Sequence, residues 1–175
     1  MNPFVNPLGS VIDIIPAVMP LDLQTARAGD AISLKNAAGV LILVVKGAGT
    51  AGDDPDFTLY QQSDVANSLS DAKALNAIDV IWKKQGAALT AVGTWTKVEQ
   101  TADEVFSADA TSAEEQALYA IWVPATALDR DGGFDCIRLD VADVGNNAQL
   151  GCVLYILAGL RYPSDPANLP SAIID

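Results

Sequence analysis

Short apolar runs that alternate with polar residues dominate this chain, and turn-forming Gly, Asn and Asp residues separate them. In TWTKVEQ, for example, Trp95, Lys97 and Glu99 share one face while the residues between them share the other. The pattern predicts eight strands: AISLKN (31–36), GVLILVVKG (39–47), DFTLYQQ (56–62), IDVIWKKQG (78–86), TWTKVEQ (94–100), LYAIWVP (118–124), FDCIRLDVAD (134–143) and AQLGCVLYILAG (148–159).

Two of the predicted strands, 39–47 and 148–159, are apolar on both faces. This is typical of central strands that are covered on both sides or packed against a neighbouring subunit. Short helical turns are predicted at 70–76 and at 124–133, where Pro124 suits a first helical position. Many short strands without βαβ alternation predict an all-β fold, an antiparallel β-sandwich or jelly-roll-like single domain, with a barrel as the alternative.

The two ends of the chain are rich in proline and differ from the middle. We therefore predict an extended N-terminal arm (1–28), a β-sandwich domain (29–160) and an extended C-terminal arm (161–175). Residues such as Ile12 and Ile173 make both arms too apolar for free linkers. The arms are expected to lie on their own sandwich or on an adjacent subunit.

The stretch VLILVVKGAGTAGDDPDF (40–57) contains the G-x-G-x-x-G spacing of a dinucleotide-binding turn. In that motif the third glycine opens a helix that holds a pyrophosphate. Here Gly52 is followed by DDPD and then by the strand-like FTLYQQ, so no long helix is expected and acidic groups would repel a phosphate. We interpret the glycines as a hairpin turn.

The composition is typical of one folded domain, because the 175 residues are 50% apolar and only 18% charged. A net charge of −12, from 10 basic and 22 acidic residues, argues against a nucleic-acid partner. The longest apolar runs are far too short for a membrane span, so no membrane partner is expected. The N-terminus lacks the features of a secretion signal, which predicts a product that stays where it is made.

Histidine is absent from the sequence, which removes Ser-His-Asp and Cys-His nucleophiles and most catalytic zinc sites. Paired carboxylates at 53–56 or at Asp129 and Asp131 are candidates for a glycosidase, and the same clusters for Ca²⁺ binding. Neither cluster matches a complete calcium loop, although the second has Gly133 nearby. Both lie in predicted turns, where Asp bonds its own backbone, so no enzyme, cofactor or metal is expected.

Cys136 and Cys152 sit in apolar strand-like segments without C-x-x-C spacing, so buried free thiols are expected. A disulfide between neighbouring strands is the alternative. Trp82, Trp95 and Trp122 each lie in a predicted strand. Core packing is expected for them, with a carbohydrate-stacking platform as the alternative.

The segments GSVIDIIPAV, GDAISLKN, GTAGDDP, GFDCIRLDVADVGNNAQLG and RYPSDPANLPSAI carry a resemblance to a known class of proteins. Together they resemble small virion proteins of tailed bacteriophages, found among head-completion and capsid-associated structural genes. The likeness runs from about Gly9 to Ile173. It implies a β-rich capsid decoration or cement protein, commonly oligomeric, bound outside the major capsid shell. No functional residues carry over, because the family has no active site.

The sequence thus predicts a non-enzymatic virion structural protein on the capsid surface, assembled in the host cytoplasm. Its expected partners are the phage major capsid protein and further copies of itself, as a homotrimer. A tail or connector subunit and a carbohydrate-binding sandwich are the alternatives. The expected contacts are Ile12, Ile14, Ile15 and Val18 of the N-terminal arm and Tyr162, Leu169 and Ile173 of the C-terminal arm, for which covering their own sandwich edge is the alternative.

Overall fold

The chain folds into two antiparallel β-sheets, which confirms the predicted all-β sandwich. The computed structural model describes residues 7–66, 70–86, 93–143, 145–162 and 165. The strands are β1 (Ile12–Asp22), β2 (Ile32–Ser33), β3 (Gly39–Lys46), β4 (Asp56–Gln62), β5 (Lys73–Ala74), β6 (Ile78–Gly86), β7 (Thr96–Asp103), β8 (Val105–Ser107), β9 (Gln116–Pro124), β10 (Cys136–Val141) and β11 (Leu150–Ala158). One short helix, α1 (Ala108–Ser112), and a 3-10 turn (Ala125–Ala127) complete the described elements.

The strand order is that of a jelly roll with an added hairpin. One sheet has the order β1-β11-β3-β9-β6-β7, and the other has the order β2-β10-β4-β5, with β8 also paired to β4. Successive strands β1 to β4 alternate between the two sheets, and so do β9 to β11. Two interleaved Greek keys of this kind define the jelly roll, and β6 with β7 widens one sheet beyond them.

The hydrophobic core lies between the two sheets. In β3, every second residue from Val40 to Lys46 is buried, as expected for a strand with one face against the core. Phe57 of β4 stacks on Phe106 of β8 with ring centres 4.8 Å apart. The buried hydroxyl of Tyr155 in β11 accepts a hydrogen bond of 2.7 Å from the backbone N–H of Leu139 in β10, which links the two sheets.

The N-terminal segment differs most from its sequence prediction. Residues expected within an extended arm form β1, which pairs with β11 at the edge of the six-stranded sheet. Pro16 and Pro20 are tolerated because an edge strand needs hydrogen bonds on only one side, and the register shifts directly after Pro16. Residues 12–22 therefore belong to the protein's own sandwich, which was the alternative to a contact with an adjacent subunit.

Two local predictions are wrong. The segment 70–76, predicted as a helical turn, contains β5, because Lys73 and Ala74 pair with Tyr60 and Gln61 of β4. The glycine-rich segment after β3 (47–55) is not a hairpin turn, because β3 and β4 belong to different sheets. It crosses from one sheet to the other, and we call it the crossover loop. The turn predicted after Pro124 is confirmed as the 3-10 turn.

Candidate functional site

The side of the six-stranded sheet that faces away from the core is apolar, and we call it the outer face. The strand register arranges its side chains in three rows that cross the sheet. The middle row is Lys97, Trp82, Ala120, Leu43, Leu154 and Pro16; the flanking rows are Trp122, Leu41, Ile156 and Ile14 on one side and Lys84, Leu118, Val45 and Cys152 on the other. On β9, β3, β11 and β1 none of these side chains is charged.

Several outer-face side chains are open to solvent. Ile14 is 50% exposed, and Trp82 and Trp122 are each 45% exposed. Ala120 is buried without belonging to the core between the sheets, because larger outer-face neighbours surround it. Ordinary strand spacing gives the three rows an area on the order of 500 Å². The largest apolar patches on monomers measure about 300–600 Å² and are often functional, so this face is a candidate binding surface.

Within the three rows, the charged residues are confined to β6 and β7. Lys97 forms an ion pair with Glu99, and the Nζ atom of Lys84 lies 4.9 Å from the ring centre of Trp95. Trp95 is itself 43% exposed and directly precedes β7. All three tryptophans of the chain therefore lie at this end of the outer face, partly exposed, and the prediction of core packing for them is wrong.

The sequence contained a signal for this face. The predicted strands 39–47 and 148–159 are apolar on both sides, and they are β3 and β11, two central strands of the sheet. Their inward side chains fill the core, whereas no helix or strand in the described ranges packs over their outward side chains. Of the two explanations offered for such strands, packing against a neighbouring subunit is the one this arrangement favours.

The predicted contact residues of the arms separate into four groups. Ile12 and Ile14 point outward from β1 and belong to the edge of the outer face, whereas Ile15 and Val18 are buried in the protein's own core. Tyr162 is 75% exposed, and its backbone N–H donates to the Asn36 side chain. Leu169 and Ile173 lie outside the described residues.

A buried charged cluster at the end of β3 was not found by sequence reasoning. The side chain of Lys46 enters the protein interior, where its Nζ lies 2.6 Å from Asp54 and donates to the carbonyls of Ala113 at 2.6 Å and Glu115 at 2.9 Å. The amide of Gln149, oriented to satisfy its hydrogen bonds, donates to Asp54 at 3.2 Å. The signal that could have revealed the cluster is a lysine in the inward phase of an otherwise apolar strand.

The cluster is sealed, although its residue types could serve catalysis. Burial raises the pKa of the Asp54 carboxyl, and the hydrogen bond from Lys46 opposes the rise. A Cβ atom on Gly49 would lie 2.0 Å from the Asp54 carboxylate, so a glycine there lets the loop close over the ion pair. Tyr119, hydrogen-bonded to Ser112, is also buried, and burial raises its pKa to about 12. The geometry indicates a structural role for the ion pair, which holds the crossover loop against the core.

The acid clusters considered for catalysis or Ca²⁺ make local contacts. Asp53 accepts a hydrogen bond of 3.2 Å from the backbone N–H of Asn147. Asp129 accepts a hydrogen bond from the Gly132 N–H at 3.0 Å and pairs with Lys73 at 3.2 Å; these contacts lower its pKa. Within the part of the chain that the structure describes, no three His, Cys, Asp or Glu side chains converge as a metal site.

The two cysteines are free thiols in different sheets, as predicted, and no disulfide joins them. The prediction that both are buried is correct for Cys136 and wrong for Cys152. Cys136 is buried in β10, and burial raises the pKa of its thiol to about 12. Cys152 is partly exposed on the outer face, and partial burial raises the pKa of its thiol as well. Cys152 is therefore a natural chemical reporter of whether the outer face is covered.

The chain matches no protein-family model, no curated protein and no solved structure. Among the described residues, no helix has the length and apolar character needed to cross a membrane.

Proposed function

We propose that this protein is a non-enzymatic structural protein of a tailed-phage virion. It acts as a capsid decoration or cement protein that binds the outside of the major capsid shell and stabilises it against the pressure of packaged DNA. The observation that carries the proposal is the outer face. An apolar surface of this extent, with partly exposed tryptophans, suits a subunit that functions inside an assembly.

The chemistry of the polar groups supports the same proposal. The chain has no histidine, and its candidate acids are held by local partners: Asp54 by Lys46, Asp53 by Asn147 and Asp129 by Lys73. Such acids cap turns and close loops, and these roles require no substrate. The fold does not decide the function, because viral capsid proteins and carbohydrate-binding proteins both use jelly rolls.

The proposed contact with the shell uses the parts of the arms that are not committed to the core. Ile15 and Val18 already fill the interior, and Ile12 and Ile14 belong to the outer face. This leaves the exposed Tyr162 for the shell, with Leu169 and Ile173 as predictions. Each apolar side chain buried at a contact contributes about 1.5–3 kcal/mol. Many symmetric copies on one particle turn such modest contacts into lasting attachment.

Binding to shells assembled from the major capsid protein alone tests the proposal. The full chain should sediment with the shells, occupy symmetric positions in electron micrographs and raise the temperature at which the shells rupture. A chain ending at residue 165 lacks Leu169 and Ile173 but keeps every described strand, and its affinity should fall by about tenfold or more. The control, Val65→Lys, alters an exposed apolar residue in a loop outside the outer face.

Two results would count against the proposal. If the folded protein never associates with shells, the proposed capsid role is wrong. If it turns over any substrate with saturable kinetics, the proposal that it is not an enzyme is wrong. Equal binding by the full chain and the chain ending at residue 165 would remove only the C-terminal arm from the contact.

A carbohydrate-binding module is the second candidate, and the three partly exposed tryptophans at one end of the outer face favour it. A glycan stacked on Trp82 or Trp95 should quench tryptophan fluorescence in a saturable way. That quenching should disappear in Trp82→Ala or Trp95→Ala and persist in Val65→Lys. Fluorescence that is unchanged across a panel of host surface glycans would exclude this candidate.

A further inference from the structure

The outer face differs from the rest of the surface in having a broad region without charge. We propose that it is the contact surface between two copies of this chain, packed sheet against sheet about a twofold axis. The inference goes beyond the capsid role, because it applies wherever the assembled protein is located. The same apolar patch then serves both partners, as in every twofold contact.

The geometry of the face suits a second copy of itself. Sheets pack face to face at about 10 Å with their strands roughly aligned, and an identical sheet brings the same twist. Most outward side chains of β3, β9 and β11 are large, such as Leu43 and Leu154, and the small Ala120 leaves a depression between them. Such a relief allows side chains from two copies to interdigitate, as the inner faces of the two sheets do in this protein.

The charge distribution favours this contact over other contacts between copies. With a net charge of −12, most ways of bringing two copies together place acids against acids. Within the three rows, the positions on β1, β11, β3 and β9 carry no charge, and Asp22 lies beyond the rows at the far end of β1. Identical faces can therefore meet across the rows without direct repulsion. Lys84 and Lys97 stand at the margin, where they contact Trp95 and Glu99 of their own chain.

The area predicts a reversible dimer. Two faces of about 500 Å² bury about 1,000 Å² in total, which is near the lower limit of specific interfaces. Leu150, which is 66% exposed and lies beside the three rows opposite Asp22, marks the border of the contact on β11. The proposed unit is thus two copies, whereas the sequence predicts a homotrimer.

Light scattering at increasing protein concentration, with one substitution at the centre of the face, tests the inference. Leu43 lies between Ala120 and Leu154, and its partly exposed side chain tolerates a polar group in a monomer. Leu43→Lys should weaken dimerisation by about a hundredfold, since it buries an unpaired charge in the contact. Val65→Lys makes the same change of charge away from the face and should leave the dimer intact.

Alkylation of Cys152 is a second measurement that needs no variant. At mildly alkaline pH its reaction with a maleimide should slow as protein concentration rises, because pairing covers the outer face. Cys136, buried in β10, should stay unreactive throughout and mark any unfolding.

Three outcomes would overturn the inference. The first is a protein that remains monomeric with a reactive Cys152 at every concentration. The second is an oligomer that persists in Leu43→Lys with Cys152 still reactive, because association then uses another surface. The third is a monomer in which Cys152 is protected only on capsid shells, which would give the face to the shell and leave the proposed function standing.

Discussion

At the scale of single residues, Lys46 and Asp54 decide whether the crossover loop stays closed. Lys46→Met should lower the free energy of unfolding by about 3–5 kcal/mol, because it leaves a buried carboxylate without its partner. Asp54→Asn should also destabilise the protein, by leaving the buried ammonium with carbonyl partners alone. The double variant should lose less than the sum of both, which urea unfolding at neutral pH would measure as a coupling between the two residues.

The exposed pair of Lys35 and Asp135 provides the control. Its two charged atoms lie 2.7 Å apart, but the Lys35 side chain is 70% exposed. Lys35→Met should therefore change stability little, because solvent screens such pairs. A Lys46→Met variant as stable as Lys35→Met would contradict the structural role assigned to the buried cluster.

Two carboxylates at opposite ends of β1 respond to folding in opposite directions. Burial raises the pKa of Asp13, and the backbone N–H of Ile14 opposes the rise. The backbone N–H groups of Gln149 and Gln24 lower the pKa of Asp22. The folded protein therefore favours the neutral form of Asp13 and the charged form of Asp22.

The substitutions Asp13→Asn and Asp22→Asn should change the free energy of unfolding with opposite signs at neutral pH. Asp13→Asn should stabilise the protein, and the gain should vanish as the pH falls below the unfolded Asp value of about 3.9, where Asp13 is protonated in both states. Asp22→Asn should destabilise it, and that loss should shrink as the pH falls from about 3.9 through the lower folded pKa. Each variant removes one negative charge and so controls for the other; equal signs at neutral pH would contradict the assignment.

At the scale of elements, the sequence predicts strands well where the apolar pattern and local turns agree. The predicted segments 56–62 and 78–86 coincide with β4 and β6. The strand β1 was missed because Pro16 and Pro20 conceal an edge strand, whose one-sided pairing becomes visible only in the sheet. The two-residue β5 depends on pairing with β4, and no local pattern encodes such a contact.

The candidate site was predictable only in part. Apolar residues on both faces of β3 and β11 indicated a second covered surface, but the contribution of β9 and β1 depends on strand order. The tryptophans show that residue type alone does not predict whether a strand side chain faces the core or the solvent. Trp82 and Trp122 occupy outward positions in strands whose inward neighbours fill the core, and the phase of a strand relative to the second sheet is a tertiary property.

The start of β3 offers a test of how the outer face is built. A Cβ atom on Gly39 would lie 2.5 Å from the indole of Trp122 and 2.7 Å from the backbone oxygen of Val123. Gly39→Ala should therefore displace the indole, shift tryptophan emission to longer wavelength and lower the free energy of unfolding by about 1–3 kcal/mol. Gly93→Ala is the matched control, because its Cβ would lie 3.9 Å from the nearest atom. Identical spectra for the two variants would mean that Trp122 does not lie over Gly39.

At the scale of the whole molecule, the acidic surface and the uncharged face act in opposite directions. The excess of 22 acids over 10 bases keeps copies apart and soluble at long range. The outer face attracts only at contact, because burial of apolar area has no long-range component. Association is therefore set by a balance that changes with ionic strength.

Raising the salt concentration should strengthen the proposed dimer. Salt shortens the screening length to about 10 Å at 0.1 M, which weakens repulsion between two copies of charge −12, while the apolar contact is unaffected or strengthened. Between about 0.02 M and about 0.5 M sodium chloride, the dissociation constant measured by sedimentation should fall several-fold. Leu43→Lys should remain monomeric across the range, which separates screening at the face from non-specific salting-out. If ion pairs from Lys84 and Lys97 to the partner's acids held the copies together instead, salt would raise the dissociation constant, so the sign of this dependence identifies the force that closes the interface.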